Sequence, residues 1–259
     1  MTLDDALDGL AAQVRDGRRV LVALDFDGVL APLQDDPAAS RALPEAVRSL
    51  EDLATVDGVE LALVSGRALA DLASLAEVPD GTHLVGSHGA EHGLWRLGRL
   101  EHVGLDVDPA AAALLEELAT ALVEAARGST ARVEHKPGSA VLHTRGASSS
   151  DAERLTAAAL ELGDREGVDA IRGKDVVELS VLRRTKGDAL ADLREELAVD
   201  ALLYAGDDVT DERAFATLGP ADVTVRVGPG ETAARFRVED PLAVAALLER
   251  LSRLLTSNG

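Results

Sequence analysis

No cysteine occurs among the 259 residues, so disulfides and thiolate chemistry are excluded and any metal must be held by oxygen or imidazole ligands. No apolar run approaches the roughly 20 residues of a membrane span. The opening MTLDDALDGLAAQV has neither a basic n-region nor a long apolar centre, so a cytoplasmic location is expected. Positive charge is also scarce: 26 Lys and Arg face 46 Asp and Glu, for a net charge of −20 and an isoelectric point of about 4.6. That balance argues against nucleic acid and against an anionic membrane surface, both of which reward basic clusters. An anionic substrate would instead need positive charge, or a metal, concentrated at its site. Lysine is scarcest of all, with only Lys136, Lys174 and Lys186 among the 26 basic residues. An ammonium is a compact point charge that fits beside a phosphate or among sugar hydroxyls. Chance in an arginine-rich composition is the alternative.

What is present alternates. Apolar runs suited to buried strands lie at Val20–Leu24, Val59–Val64, His83–Val85, Ala201–Tyr204 and Val223–Val227. Helical spacing marks Pro44–Ala54, Ala68–Ala76, Lys186–Leu197 and Asp211–Leu218. Such alternation predicts βαβ units and a mostly parallel sheet. The middle differs, with a helix pattern at Pro109–Ala126 and short strands at Arg132–His135 and Ala140–Thr144 around a Pro137-Gly138 turn. A further helix at Asp151–Leu162 precedes a hairpin of Val168–Arg172 and Val176–Ser180 through Gly173. The expected fold is α/β: a Rossmann-like parallel-sheet core, residues 1–105 and 184–259, with a smaller α+β domain inserted at 106–183. Gly146–Ser150 reads as a loop and helix start.

Several expected strands end in chemically useful side chains. Asp25 and Asp27 follow Val20–Leu24, with Gly28 allowing a sharp turn at the carboxyl edge where open α/β sheets bind ligands. Carboxylates two residues apart can share a hard cation, and one can attack phosphorus while the other moves a proton; a solvated turn is the alternative. Ser65-Gly66-Arg67 ends the next strand, where a hydroxyl and free N–H groups suit a phosphate oxygen. Ser65 would equally serve as a helix cap and Arg67 as a surface charge. Lys186 opens a helix in Thr185-Lys186-Gly187-Asp188. Asp207, Asp208, Asp211 and Glu212 crowd four carboxylates into six residues, which suits Mg²⁺ or, more blandly, an acidic helix N-terminus.

DFDGVL, SGR, TKGD and GDDVTDE, in this order at strand and helix ends, resemble the four motifs of haloacid-dehalogenase-superfamily phosphatases. The resemblance implies that Asp25 is the nucleophile and Asp27 the general acid/base, whose main-chain carbonyl also meets the metal. It implies further that Ser65 and Lys186 meet the phosphoryl group, and that Mg²⁺ is held by Asp25, Asp27 and Asp207 with Asp208 and Asp211 in support. Val29 stands where that superfamily usually has Thr.

The insertion holds Glu134-His135-Lys136, His143-Thr144-Arg145 and Gly173-Lys174-Asp175-Val176-Val177-Glu178. Strand alternation places Glu134 with Lys136, and Lys174 with Val176 and Glu178, on one face. These groups can bind sugar hydroxyls, or pair with one another across strands. The HK…H and GKxVxE patterns, with Gly86-Ser87-His88-Gly89-Ala90-Glu91, resemble those of trehalose-6-phosphate phosphatases; Thr144 departs from a common Tyr. The resemblance spans Val20 to about Arg237. It implies Mg²⁺-dependent hydrolysis of trehalose 6-phosphate through an aspartyl-phosphate. Arg67, His88, Glu91, Glu134, Lys136, His143, Lys174 and Glu178 are then the substrate contacts, and the insertion is a substrate-selecting cap. The expected partner is a small sugar phosphate bound by a monomer. A phosphatase acting on sucrose 6-phosphate or mannosyl-3-phosphoglycerate, and a non-catalytic sugar-phosphate-binding module, are the rival readings.

Overall fold

A computed structural model describes residues 1–105, 109–136, 138–181 and 184–256. In chain order the larger unit begins with α1 (Leu3–Arg15), β1 (Val20–Leu24), α2 (Pro44–Ala54), β2 (Val59–Val64), α3 (Leu69–Leu75) and β3 (His83–Gly86). An edge pair follows, β4 (Glu91–Arg96) and β5 (Arg99–Leu105). The smaller unit holds α4 (Pro109–Ala126), β6 (Arg132–Lys136), β7 (Ser139–His143), α5 (Ser149–Gly163), β8 (Asp169–Gly173) and β9 (Val176–Ser180). The chain then completes the larger unit with α6 (Lys186–Glu196), β10 (Ala201–Gly206), α7 (Val209–Phe215), β11 (Val223–Val227), β12 (Phe236–Val238) and α8 (Pro241–Thr256). The two compact units are Met1–Gly104 with Thr185–Gly259, and Leu105–Arg184. Pro137 of the expected turn, and Asp106 and Arg183 of the expected domain limits, lie outside the described residues.

The sheet of the larger unit has the order β12-β11-β10-β1-β2-β3-β4-β5. Pairing from β12 through β3 is parallel, and β4 runs antiparallel to β3. Burial on both faces explains why the central strands read as unbroken apolar runs rather than as alternation. Val20, Val22 and Leu24 face a core with Leu7 and Leu10 of α1, Leu50 and Leu53 of α2 and Leu248 of α8. Leu21 and Ala23 point the other way, onto Leu190 and Leu193 of α6 and Phe215 of α7. Each such leucine contributes about 1.5–3 kcal/mol by leaving water. The chain steps from β1 to β2 and β3 on one side, and places β10, β11 and β12 on the other. This reversal opens a crevice beyond the carboxyl ends of β1 and β10, the usual ligand position of such sheets.

The smaller unit is a four-stranded antiparallel sheet, β6-β7-β9-β8. Ala140, Leu142, Val177 and Leu179 pack one of its faces onto Leu118 and Leu122 of α4 and Leu155 of α5. Period-two alternation puts Glu134, Lys136, Ser139, His143 and Glu178 on the opposite face.

Element limits shift where caps decide them. Asp208 caps α7, accepting from the N–H groups of Thr210 and Asp211, so the helix starts at Val209 rather than Asp211 and stops at Phe215. Thr144 falls outside β7, and α3 is one residue shorter at each end than its apolar spacing suggested. Lys174 and Asp175 form the two-residue turn between β8 and β9, with Asp175 at φ +58°. Lys174 therefore does not share a strand face with Val176 and Glu178, because alternation holds only within the strand. Among the described residues no helix is long and apolar enough to cross a membrane.

Candidate active site

The site grows from strand ends. The Asp25 N–H donates to the Ala205 carbonyl at 2.9 Å, continuing the β1–β10 ladder by one residue, and the Ser65 N–H does the same to Val85 from β2. Both side chains are thereby fixed at the carboxyl edge of the sheet. Lys186 opens α6 behind the Thr185 cap, which exchanges hydrogen bonds with Asp188. Its ammonium, with no exposed surface, donates to Asp25 Oδ2 at 2.7 Å and to Asp211 Oδ1 at 2.8 Å.

Asp211 is saturated. Its Oδ1 also accepts from the Tyr204 hydroxyl at 2.5 Å, and Oδ2 accepts the N–H groups of Asp207 and Asp208 at 2.8 and 3.0 Å. It thus orders the acidic loop. Asp208 Oδ1 accepts from the Thr210 N–H and hydroxyl and from the Asp211 N–H. The Asp207 carboxylate lies against Gly28. A Cβ on Gly28, which sits at φ +75°, would come within 2.1 Å of Asp207 Oδ2, so only glycine allows this approach.

One ammonium faces four carboxylates here, and the electrostatics follow. Desolvation alone would discharge Lys186, but Asp25 and Asp211 outweigh it and hold the ammonium charged. Burial, and then Asp211 and Asp208, push the Asp25 carboxyl well up against the pull of Lys186; that ammonium is shared with Asp211, so it cannot offset every neighbour. Burial, followed by Asp211 and Asp208, raises Asp207 to about 7. Asp208 goes the other way: burial is outweighed by Lys186 and by the Thr210 and Asp211 donors, which hold it low. Such a cluster fits a hard divalent cation, with oxygen donors throughout and excess negative charge. Oxygens of Asp25, Asp208 and Asp211 lie within 4.8 Å of one another. Asp27 and Asp207 stand outside that triplet, and the hydrogen bonds on Asp211 leave it an ordering role.

Asp27 is engaged elsewhere. Arg67 grips it with two bonds, Nε to Oδ2 at 2.5 Å and Nη2 to Oδ1 at 2.7 Å, and the Ser40 hydroxyl adds a third at 3.0 Å. The guanidinium of Arg67, expected to meet substrate, is here bound to a carboxylate. Glu91 is likewise turned inward, accepting from the Leu69 N–H at 3.0 Å and the Ser87 hydroxyl at 2.6 Å. His88, at φ +56°, lays its ring over Gly66, where a Cβ would meet Cε1 at 2.4 Å. Val29 is buried in the core.

On the polar face of the smaller sheet, Lys136 Nζ lies 3.3 Å from Glu178 Oε2, and Ser139 donates to Glu178 Oε1 at 2.6 Å. His143 Nε2 lies 2.7 Å from Glu134 Oε2. Lys174 is exposed at its turn. Sequence reasoning missed Ser40, Tyr204 and Arg226, whose Nη1 donates to the Asp208 carbonyl at 3.1 Å. Tyr204, the one tyrosine, on an otherwise apolar strand, carried a visible signal. Ser40 and Arg226 carried none.

A trehalose-phosphatase family model matches residues 23–241. The trehalose-phosphate phosphatase of Mycobacterium ulcerans is 35% identical over 276 aligned positions, covering 99% of this chain and 68% of that protein. The C-terminal domain of Candida albicans trehalose-6-phosphate phosphatase superposes with a TM-score of 0.75 at 22% identity, covering 94% of this chain and 95% of that one. A haloacid-dehalogenase-like hydrolase from B. subtilis gives a TM-score of 0.61 at 16% identity, covering 88% and 98%. These two likenesses establish a haloacid-dehalogenase-like fold. By the family model and the sequence relative together, the chain belongs to the trehalose-phosphatase family, and is a phosphatase.

Proposed function

We propose that the protein hydrolyses trehalose 6-phosphate to trehalose and inorganic phosphate through an aspartyl-phosphate at Asp25. The observation that carries this reading is the buried bridge from Lys186 to Asp25 and Asp211 at 2.7 and 2.8 Å. It fixes Oδ2 of Asp25, while Oδ1 accepts the Phe26 N–H at 2.6 Å, so both oxygens of the carboxylate are held at the end of β1.

Asp25 attacks phosphorus as the ester oxygen departs, and Asp27, which must enter this step in its protonated form, gives that oxygen its proton. Lys186 and the Ser65 hydroxyl stabilise charge on the phosphoryl oxygens. Asp27, now a carboxylate, takes a proton from water as the water oxygen attacks phosphorus, which breaks the bond to Asp25 and releases phosphate. Asp25, Asp208 and Asp207, with the Asp27 carbonyl, would hold Mg²⁺, whose chemistry is to neutralise phosphate charge and orient the ester. Lys136, Glu178, His143 and Glu134, on one polar face of the smaller unit, supply donors and acceptors for sugar hydroxyls. That unit, Leu105–Arg184, thus selects the substrate.

Phosphate release with Mg²⁺, measured across trehalose 6-phosphate, sucrose 6-phosphate and mannosyl-3-phosphoglycerate, tests the reading. Highest kcat/KM for trehalose 6-phosphate is expected. Preference for either other ester reassigns the substrate, and calorimetric binding without turnover would make the protein a binding module.

A further inference from the structure

Ser40 follows the 3₁₀ turn Pro37–Ala39 on the segment joining β1 to α2 and is 1% exposed. Its Oγ lies 3.0 Å from Asp27 Oδ1 and 3.0 Å from Arg67 Nη2. A guanidinium can only donate. The hydroxyl therefore accepts from Arg67, sharing the two Nη2 hydrogens with Asp27 Oδ1 and the Pro37 carbonyl, and its single proton is directed to Asp27. Arg67 is itself anchored to the same segment, with Nη2 2.9 Å from the Pro37 carbonyl. The segment is stiffened in turn: Asp36 Oδ1 accepts from the Ala38 N–H, and Arg41 Nη1 donates to the carbonyls of Ala38 and Ser40. Asp27 is thus held by Ser40, on this segment, and by Arg67, which is anchored to it, while its side chain stays 30% exposed.

We propose that Ser40 is a positioning residue for Asp27, setting the carboxyl plane from which a proton reaches the departing ester oxygen. The inference rests on Asp27 being the acid/base. A misplaced acid harms a leaving group that needs a proton, such as a sugar alkoxide, and spares one that leaves as a stable anion, such as nitrophenolate. A merely structural serine would affect both alike.

The test compares kcat/KM for the sugar phosphate hydrolysed best with that for p-nitrophenyl phosphate, in wild type, Ser40→Ala, Ser40→Thr and Asp27→Asn. Ser40→Ala should lose about 10–100-fold on the sugar phosphate and less than about threefold on the aryl ester. Ser40→Thr, which keeps the hydroxyl, should recover most of the loss. Equal losses on both substrates, or none, overturn the proposal. Should circular dichroism find the alanine variant unfolded, Ser40→Cys, a weaker donor of similar size, is judged by the same ratio. If Asp27→Asn leaves the sugar-phosphate rate intact, the acid/base reading itself has failed, whatever Ser40 does.

Discussion

Replacing Lys186 by methionine removes the one cation between two buried carboxylates while keeping most of the side-chain volume. The side chains of Lys186 and Asp211 are fully buried and that of Asp25 is 6% exposed, so solvent can compensate little. Removing one partner of a buried pair costs about 3–5 kcal/mol, because the other charge is left without its offset. For a chain of this size each kcal/mol lowers Tm by about 2–4 °C, which predicts a fall of about 6–20 °C in EDTA near neutral pH. Added Mg²⁺ should restore part of it, and so should Asp25→Asn combined with Lys186→Met, since the first offsets and the second removes uncompensated negative charge. Differential scanning fluorimetry with and without Mg²⁺ reads these shifts, and phosphate release should fall by about 10²–10³ or more in the single variant. A Tm equal to wild type in EDTA would refute the reasoning, for it would mean that the bridge offsets no buried charge.

Two further outcomes follow from the acidic loop. Asp207 is raised from an ordinary 3.8 to about 7, so between those values the folded chain keeps a proton that the unfolded chain releases. The contribution of Asp207 to metal-free stability should therefore decline as pH rises through that window and level off above it. Excess Mg²⁺ should flatten the decline and bind more weakly below about pH 7 as protons compete. Identical Tm–pH slopes with EDTA and with Mg²⁺ would contradict this. Gly28→Ala must drive a Cβ toward Asp207 at a backbone angle unsuited to alanine. It should weaken calorimetric Mg²⁺ binding as well as activity, whereas unchanged Mg²⁺ affinity would argue that Asp207 does not need its place beside Gly28.

Much of the core was legible because a central parallel strand buried on both faces must be apolar throughout: β1, β2 and β11 fall where their runs predicted. The elements that went unassigned lie at the periphery. The β4–β5 pair is an edge whose first strand is only partly buried, so no apolar run marks it. α1 and α8 do carry amphipathic spacing, and α1 a Thr2–Asp5 capping box, but neither bears a chemical motif. The acids and Lys186 could be placed because strand ends and helix starts converge at the sheet's carboxyl edge. What the sequence could not carry was partnership across distance. Arg67 lies 40 positions from Asp27, and Glu91 lies 22 positions from Leu69; only the folded chain brings each pair together. Lys174 failed for a local reason, since a two-residue turn ends the alternation just where it sits.

Covalent capture at Asp25 is the most direct test of the chemistry. Wild-type protein turning over its sugar phosphate with Mg²⁺ is quenched in acid, digested and mapped by mass spectrometry. One phosphoryl group on the peptide that contains Asp25, absent from Asp25→Asn together with turnover, is the predicted result. Near wild-type phosphate release by Asp25→Asn, or phosphorylation at another residue, would contradict it.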